Sequence, residues 1–198
     1  MVKAIIFDVG GVVVNGREEE IYAKLAEKLG IDEIELKSMK KQHNQELLTG
    51  KLKIAEFAEE IKERFGIEKD ILSTWKEVHI EATPANKELI LLVGKLKKKY
   101  TVGAISNVPD LHTKVTEARC IYSHFEPKII SCDVGLAKPG KEIFELMLKK
   151  LDMDADECIY IDDREIHIEG AKKLGFKTIL FKDNEQLKQE LRKLNIIF

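Results

Sequence analysis

The chain has few of the residues that build disulfide or zinc frameworks. It holds three cysteines in 198 residues, an odd number, and no CxxC pair. A small disulfide-stapled fold would need an even set of cysteines, and a structural zinc site would need clustered Cys and His ligands. We therefore expect neither a disulfide framework nor a zinc site.

The chain also lacks an excess of charge of either sign and a long hydrophobic run. Lys and Arg number 33 and Asp and Glu number 35, so the formal net charge is −2. This balance argues against a nucleic-acid groove or a polybasic membrane surface. The N-terminal stretch MVKAIIFDVGGVVV is apolar, but Lys3 and Asp8 interrupt it, and it is too short to span a bilayer or to act as a signal. We expect a cytoplasmic protein with no nucleic-acid and no membrane partner, and the sequence predicts no particular oligomeric state.

What the chain does have is a regular alternation of two patterns. Hydrophobic residues make up 44% of it, enough for a sizeable core. Short apolar runs predict strands at 3–9, 101–105, 128–131, 158–162 and 177–181. Amphipathic patterns predict helices at 85–99, 109–118, 140–151, 165–174 and 184–194. This order predicts an α/β fold with a doubly wound, mostly parallel, Rossmann-like sheet and helices on both faces.

Residues 15–84 break the alternation. They read as consecutive helices, with Gly30, Gly50 and Gly66 as stops, and Ile54, Phe57, Ala58 and Ile61 form one apolar stripe at helical spacing. We predict that this segment is a small helical cap inserted into the chain, and that 1–14 and 85–198 together form the α/β core domain.

Polar side chains follow four of the predicted strands. They are Asp8, Ser106 with Asn107, Lys138, and Asp162 with Asp163. Ligands of open parallel sheets bind at the carboxyl ends of the strands, so we expect these groups to converge in one crevice. Carboxylate oxygens suit Mg²⁺, a lysine can neutralise a phosphoryl oxygen, and a carboxylate can itself attack phosphorus.

Each of these residues alone also fits a purely structural role. An Asp at a strand end is more often a turn or helix cap, Ser106 could cap the next helix, and Lys138 could be a solvated loop residue. The ordered set favours a site for phosphate chemistry. No GxxxxGK[ST] motif is present, and Gly10-Gly11 lacks the GxGxxG spacing, so neither a P-loop nor a dinucleotide fingerprint is supported. A phosphorelay receiver uses similar residues, but its acid pair comes first in the chain.

The order of these motifs resembles a known family. FDVGGV, ISN, KPGKEIF and IYIDD are similar to the four motifs of the haloacid dehalogenase superfamily of hydrolases, and the resemblance covers essentially the whole chain. The segment 15–84 resembles the small helical cap of one subgroup, with TGKLKIAEF (49–57) like its helix-turn-helix signature. The stretch from Trp75 to SNVPDLH (106–112) is similar to the sugar-phosphate phosphatase branch typified by glucose-1-phosphate phosphatase.

The resemblance implies a role for each candidate residue. Asp8 would be the nucleophile and a Mg²⁺ ligand, and Gly10 would offer its carbonyl to the metal. Ser106 would bind the phosphoryl group with Asn107 beside it, and Lys138 would stabilise both the Asp8 carboxylate and the phosphoryl charge. The metal site would be completed by Asp163, with Asp162 as a neighbouring or water-mediated ligand.

Two positions depart from the pattern of the family. Most of its phosphatases carry a second Asp two residues after the nucleophile, as general acid and base, and this chain has Gly10 there. The glucose-1-phosphate phosphatase branch tolerates that glycine. The acid or amide usually found four residues after the metal-binding Asp is here His167, which could hydrogen-bond a metal-bound water or lie on the helix surface.

Three functions follow as hypotheses. The first is a Mg²⁺-dependent phosphatase of small phosphorylated metabolites, such as sugar phosphates, which acts through an aspartyl-phosphate on Asp8. The second is a 2-haloacid dehalogenase, in which Asp8 attacks carbon and halide leaves without an acid. Dehalogenases of this family work without metal, so the Asp162–Asp163 pair argues against that alternative. The third is a catalytically weak protein that binds a phosphorylated ligand.

Overall fold

The computed structural model describes residues 1–16 and 18–198. Its single sheet contains five parallel strands in the order β3-β2-β1-β4-β5. The strands are β1 (Ala4–Phe7), β2 (Thr101–Ser106), β3 (Lys128–Ile130), β4 (Cys158–Asp162) and β5 (Lys177–Leu180). The helices are α1 (Glu18–Leu29), α2 (Glu33–Gln42), α3 (Asn44–Leu48), α4 (Ile54–Phe65), α5 (Ile71–Ala82), α6 (Lys87–Leu96), α7 (Asp110–Ala118), α8 (Ser131–Val134), α9 (Lys141–Leu151), α10 (Glu165–Lys173) and α11 (Asn184–Lys193). The α/β, Rossmann-like prediction is confirmed, with α8 as a short addition after β3.

The sheet is buried on both faces because successive side chains of a strand point to opposite sides. Ile5 and Phe7 join the cluster that packs against α6 and α11, whereas Ala4 and Ile6 join the one that packs against α9 and α10. β4 divides in the same way. This two-sided burial explains why the strands read as unbroken apolar runs rather than as alternating patterns.

Helices α1–α5 form a third apolar cluster of their own around the fully buried Trp75. Two of these helices have standard caps. At the start of α5, the Asp70 carboxylate accepts from the Ser73 N–H at 3.0 Å, and at the end of α4, Gly66 has a φ of 64°. Among the described residues, Leu111 alone joins this cluster from the α/β part. The segments by which the chain enters and leaves the insertion lie side by side, because the Asn15 N–H donates to the Pro84 carbonyl at 2.8 Å. The predicted division at 14/15 and 84/85 falls at this crossing, and we keep the two-domain description as a proposal.

No helix in the described ranges is both long and apolar enough to cross a membrane.

Candidate active site

Three neighbouring strands deliver the polar side chains to one edge of the sheet. β1 lies between β2 and β4, so Asp8, Ser106 and Asp162 leave adjacent strands at their carboxyl ends. The Asp8 N–H continues the ladder with a 2.7 Å hydrogen bond to the Ile161 carbonyl, which places Asp8 beside β4. The predicted convergence of these strand ends is therefore what the topology produces.

The Lys138 ammonium lies at the centre of the cluster. Its Nζ is 2.8 Å from Asp8 Oδ1, 2.9 Å from Asp162 Oδ2 and 3.0 Å from the Ile105 carbonyl oxygen. The side chains of Lys138 and Asp162 have no exposed area. An ammonium has three protons, so these three acceptors use all of its donor capacity. The buried amine is thus held in one position between two carboxylates.

Asp162 has both carboxylate oxygens occupied. Oδ2 accepts from Lys138 and from the Tyr160 hydroxyl, and Oδ1 accepts from the Arg164 N–H at 2.9 Å. His167 Nδ1 lies 3.0 Å from Oδ2. Since both oxygens already have donors, Asp162 positions Lys138 and His167 in this structure. The cluster Asp8–Asp162–His167 brings possible ligand atoms within 4.8 Å of one another, but a cation there would face the Lys138 ammonium.

His167 lies inside the protein, not on the helix surface, and is 3% exposed. Its Nδ1 faces the Asp162 carboxylate, so the neutral ring carries its proton on Nδ1 and presents Nε2 as an acceptor. Burial lowers the pKa of His167, although Asp162 counteracts the effect. The ring therefore stays uncharged beside Lys138 at neutral pH.

The buried carboxylates differ in their acidity. Burial raises the pKa of Asp8 to about 7, against the opposing effect of Lys138, and the charge of Asp162 adds to the increase. Burial also acts on Asp162, but Lys138 and His167 outweigh it and hold that pKa below its ordinary value. Asp8 and Asp162 share one ammonium, and Asp162 keeps its negative charge more readily than Asp8 does.

Asp8 and Asp163 each present unoccupied oxygen to a common cavity. Asp8 Oδ1 accepts from Lys138 and from the Val9 N–H at 2.7 Å, while no hydrogen bond within 1–16 and 18–198 engages Oδ2. The Asp163 carboxylate makes no hydrogen bond or ion pair with any other described residue, and its own backbone N–H is the hydrogen-bond donor that acts on it. It lies directly over Gly11, whose φ is 74° and where a Cβ would overlap Asp163. Burial and the Asp162 charge raise the pKa of Asp163.

Ser106 and Asn107 have different surroundings. Ser106 is buried at the end of β2, with the Tyr122 hydroxyl 3.4 Å from its Oγ. The Asn107 amide makes two hydrogen bonds to the Lys138 backbone, to O at 2.8 Å and from N at 2.9 Å. Its side chain therefore holds the loop that carries Lys138. The buried Ser131 hydroxyl accepts from the Val108 N–H at 2.9 Å and supports the same turn.

A cavity of about 410 Å³ connects these residues with the helical insertion. Asp8, Gly10, Ser106, Asn107, Asp163 and His167 line it from the α/β part. The insertion contributes His79 and Thr83 from the end of α5, and α7 contributes His112 and Thr116. This volume is within the range of small-molecule sites, roughly 300–1,000 Å³.

Several of these residues were not among the sequence predictions. Tyr122, Tyr160 and Ser131 make the hydrogen bonds described above, and His79 and His112 stack across the boundary between insertion and core. Tyr160 had a usable signal, because residues i and i+2 of a strand share a face and it precedes Asp162 by two. The histidines had none, since their meeting depends on how α5 packs on α7.

A comparison with family models identifies the family of the chain. A model described as haloacid dehalogenase-like hydrolase matches residues 2–175. This chain belongs to that family. The motif resemblance is thereby confirmed, and with it the assignment as a hydrolase.

Characterised relatives of this hydrolase include phosphatases. It is 29% identical to a D-ribitol-5-phosphate phosphatase of Bacteroides thetaiotaomicron, over 96% of this chain and 97% of the relative. It is 30% identical to a glyceraldehyde 3-phosphate phosphatase of Pyrococcus abyssi, over 54% of this chain and 45% of that protein. A solved enzyme of the family from B. thetaiotaomicron, in complex with magnesium and inorganic phosphate, superposes with a TM-score of 0.80 at 27% identity and covers 94% of this chain and 99% of its own.

Proposed function

We propose that this hydrolase removes the phosphoryl group from small phosphorylated metabolites, with Asp8 as the nucleophile. The observation that carries the proposal is the state of the Asp8 carboxylate. One oxygen is fixed by Lys138 and the Val9 N–H, the other is free of described partners, and Asp8 borders the cavity. The phosphatases among the relatives support the reaction class.

In the proposed reaction, Asp8 Oδ2 attacks phosphorus and the bond from phosphorus to the alcohol oxygen breaks. The leaving oxygen takes a proton from water and departs as the alcohol, and a water then hydrolyses the aspartyl-phosphate to phosphate and free Asp8. Such transfers depend mainly on positioning and on stabilisation of charge. The fixed Oδ1 orients the carboxylate, so little reorganisation is needed when Oδ2 attacks.

Lys138 and Ser106 supply charge and hydrogen bonding in this scheme. The Lys138 ammonium offsets negative charge on Asp8 and on an adjacent phosphoryl oxygen. Ser106 borders the cavity, and its hydroxyl can donate to the phosphoryl group. Asn107 contributes by holding the Lys138 backbone, and we propose that its substrate contact is secondary to that role.

The donor set beside Asp8 fits Mg²⁺. The Asp8 and Asp163 carboxylates offer hard oxygen donors, and Gly10, whose backbone carbonyl would complete the set, borders the same cavity. We propose that these three residues hold the ion, and that Asp162 acts behind them by orienting Lys138. When bound, Mg²⁺ would neutralise phosphoryl charge and lower the barrier to attack. The magnesium in the related enzyme supports this assignment for the family.

The absence of a second Asp at Gly10 affects leaving-group departure. A general acid contributes about 10²–10⁴-fold to such reactions. Without it, we expect slow turnover of alkyl esters and faster turnover of esters whose leaving group needs no proton.

The test is phosphate release from p-nitrophenyl phosphate and from a panel of metabolite phosphates, with Mg²⁺ or with EDTA. We expect Mg²⁺-stimulated release that disappears in Asp8→Asn and persists in Asp156→Asn, a matched change at an exposed position. Metal-independent halide release from 2-haloacids would instead identify a dehalogenase. Stoichiometric binding without turnover would identify a binding protein. Either result would reject the proposal.

We also propose that the protein works in the cytoplasm. Its three cysteines are all free, as is usual in a reducing compartment.

A further inference from the structure

A buried tyrosine lies beside the serine that ends β2. Tyr122 is 2% exposed, and its hydroxyl is 3.4 Å from Ser106 Oγ. Both residues border the cavity that Asp8 also lines. None of the sequence motifs described above contains Tyr122, and the proposed reaction gives it no role. Its hydroxyl is a polar group at the wall of the site, and Ser106 is its one hydrogen-bond partner among the described residues.

The chain after α7 holds Tyr122 in this position. Cys120 has a φ of 57°, in the left-handed region, where the chain leaves the helix. Tyr122 then begins a single 3₁₀ turn, Tyr122–His124, and its carbonyl accepts from the Phe125 N–H at 3.1 Å. The Tyr122 ring joins the apolar cluster on one face of the sheet. Because the ring carries the phenolic oxygen, packing of the ring also fixes the position of the hydroxyl.

The hydroxyls of Tyr122 and Ser106 differ as hydrogen-bond donors. A phenol is a stronger acid than an aliphatic alcohol, so Tyr122 is the better donor and Ser106 Oγ the better acceptor. Burial raises the pKa of Tyr122 above its ordinary value, and the charge of Asp8 adds to the increase. The phenol therefore keeps its proton at neutral pH and can donate it to Ser106.

This hydrogen bond determines where the proton of Ser106 is available. A serine hydroxyl has one proton and two acceptor positions, and it rotates to suit its partners. Tyr122 uses one acceptor position, and no described residue accepts the Ser106 proton. That proton is left for a bound molecule with an acceptor oxygen.

The length of the bond leaves room for it to strengthen on binding. The 3.4 Å between the two oxygens exceeds the usual O–H···O distance of about 2.7–2.8 Å. When an anion accepts the Ser106 proton, Ser106 Oγ becomes a better acceptor, because hydrogen bonds in a chain polarise one another. We therefore expect the contact between Tyr122 and Ser106 to shorten when an anion is bound.

We propose that Tyr122 is a positioning residue for phosphoryl binding, which donates to Ser106 Oγ and so directs the Ser106 proton toward a phosphoryl oxygen. The ligand is a tetrahedral oxyanion, either the phosphoryl group of an ester or inorganic phosphate. Tyr122 acts through Ser106, and its hydroxyl has no hydrogen bond to Asp8 or Asp163. This inference rests on the proposed phosphatase function and adds a residue to the same site.

The test measures phosphate affinity and turnover in Tyr122→Phe, which removes the hydroxyl and keeps the ring. Calorimetry with inorganic phosphate in the presence of Mg²⁺ gives the affinity without turnover. We expect the affinity to fall about three- to tenfold, the value of one net hydrogen bond, and kcat/KM for p-nitrophenyl phosphate to fall by a similar factor. The affinity for Mg²⁺ alone should stay unchanged. An unchanged phosphate affinity would overturn the proposal.

Variants of the serine show whether Tyr122 acts through Ser106. In Ser106→Ala the acceptor is gone, so adding Tyr122→Phe should change the phosphate affinity by less than about twofold. Ser106→Thr keeps a hydroxyl, so there the three- to tenfold effect of Tyr122→Phe should return. A general distortion of the site would cost the same in every background. An equal loss with and without the Ser106 hydroxyl would therefore overturn the proposal.

Tyr100→Phe is the matched control. Tyr100 lies outside the cavity lining, and its hydroxyl accepts from the Ile197 N–H at 3.2 Å. Its removal should leave phosphate affinity and kcat/KM unchanged, and thermal melting without phosphate checks that each variant is folded. A loss of phosphate affinity as large as that of Tyr122→Phe would show that the effect is not specific to the site, and would overturn the proposal.

The positioning role and the phosphatase function can fail separately. If the wild type releases no phosphate from any ester, calorimetry still tests Tyr122, because binding of inorganic phosphate needs no turnover. If esters are hydrolysed and Tyr122→Phe binds phosphate as tightly as the wild type, the positioning role is wrong and the phosphatase function stands. A wild type that neither hydrolyses esters nor binds phosphate would overturn both.

Discussion

Replacement of Lys138 by Met gives the most direct test of how the buried charges are balanced. The substitution keeps the length and apolar stem of the side chain and removes only the ammonium. That ammonium is 2.8 Å from Asp8 and 2.9 Å from Asp162, and no other described residue brings a formal positive charge as close to either carboxylate. Removing one member of a buried ion pair typically costs about 3–5 kcal/mol of unfolding free energy. We expect Lys138→Met to lower the unfolding free energy by an amount in that range at pH 8.

The loss should depend on pH because Asp8 can take up a proton. Its folded-state pKa is already raised to about 7 from an ordinary 3.8, so the folded protein holds this proton more tightly than the unfolded chain does. When a carboxyl group has a higher pKa in the folded protein than in the unfolded chain, the unfolding free energy falls as pH rises between those two pKa values. In the wild type this decline ends near pH 7.

In the variant, the loss of the ammonium raises the Asp8 pKa further, so the decline continues above pH 7. One proton changes the unfolding free energy by about 1.4 kcal/mol per pH unit. Between pH 7 and pH 8, Lys138→Met should therefore lose up to about 1.4 kcal/mol more than the wild type. Asp162 contributes in the opposite sense in the wild type. Its pKa is lower in the folded protein than in the unfolded chain, so it stabilises the fold at pH values above its unfolded-state pKa.

Urea unfolding at pH 5.5, 7 and 8 in EDTA measures these differences. Lys141→Met is the matched control, because Lys141 pairs with Glu145 at 3.3 Å while both side chains are well exposed. It should cost no more than about 0.5 kcal/mol at any pH. A destabilisation of Lys138→Met below about 1 kcal/mol at pH 8, or one that does not grow with pH, would refute the charge balance described here.

Three further predictions address the cavity and the cap. Gly50→Ala should destabilise the protein by about 1–3 kcal/mol more than Gly66→Ala in urea unfolding, since both glycines have positive φ but only a Cβ on Gly50 overlaps the Cys132 carbonyl. Gly10→Asp should raise kcat for alkyl esters by about tenfold or more and leave p-nitrophenyl phosphate little changed, because a Cβ at Gly10 meets no atom within 4 Å and a good leaving group needs no acid. At limiting Mg²⁺, kcat/KM should rise with pH through about 7 as Asp8 ionises, and higher Mg²⁺ should move that midpoint to lower pH; a fixed midpoint would contradict the assignment of Asp8 as a ligand.

The part of the site that follows from strand order was predictable. Apolar runs followed by Asp8, Ser106 and Asp162 fix which side chains leave the sheet at its carboxyl edge, and parallel pairing then places them together. Only the spatial order of the strands was missing from the sequence. Because β1 lies between β2 and β4, the three side chains are immediate neighbours.

The different roles of the acidic side chains in the site were not predictable from the sequence. The sequence groups Asp162 with Asp163 as a pair of acids, but one is saturated by Lys138, Tyr160 and the Arg164 N–H, and the other has no partner in any other described residue. That difference depends on which donors surround each carboxylate in three dimensions. The same holds for His167, whose position on the buried side of α10 follows from its contact with Asp162.

Several of the contacts between insertion and core fall on one short segment of chain. Ser106 ends β2, and six residues later His112 receives the Trp75 hydrogen bond. Between them, the Asp110 carboxylate accepts from the Ile54 N–H at 3.0 Å, and Leu111 packs into the apolar cluster of the insertion. The segment that carries Ser106, the proposed phosphoryl-binding residue, is thus one of those on which the insertion rests. Ser106 and His112 both border the cavity, so the position of Ser106 and the packing of the insertion depend on the same short segment.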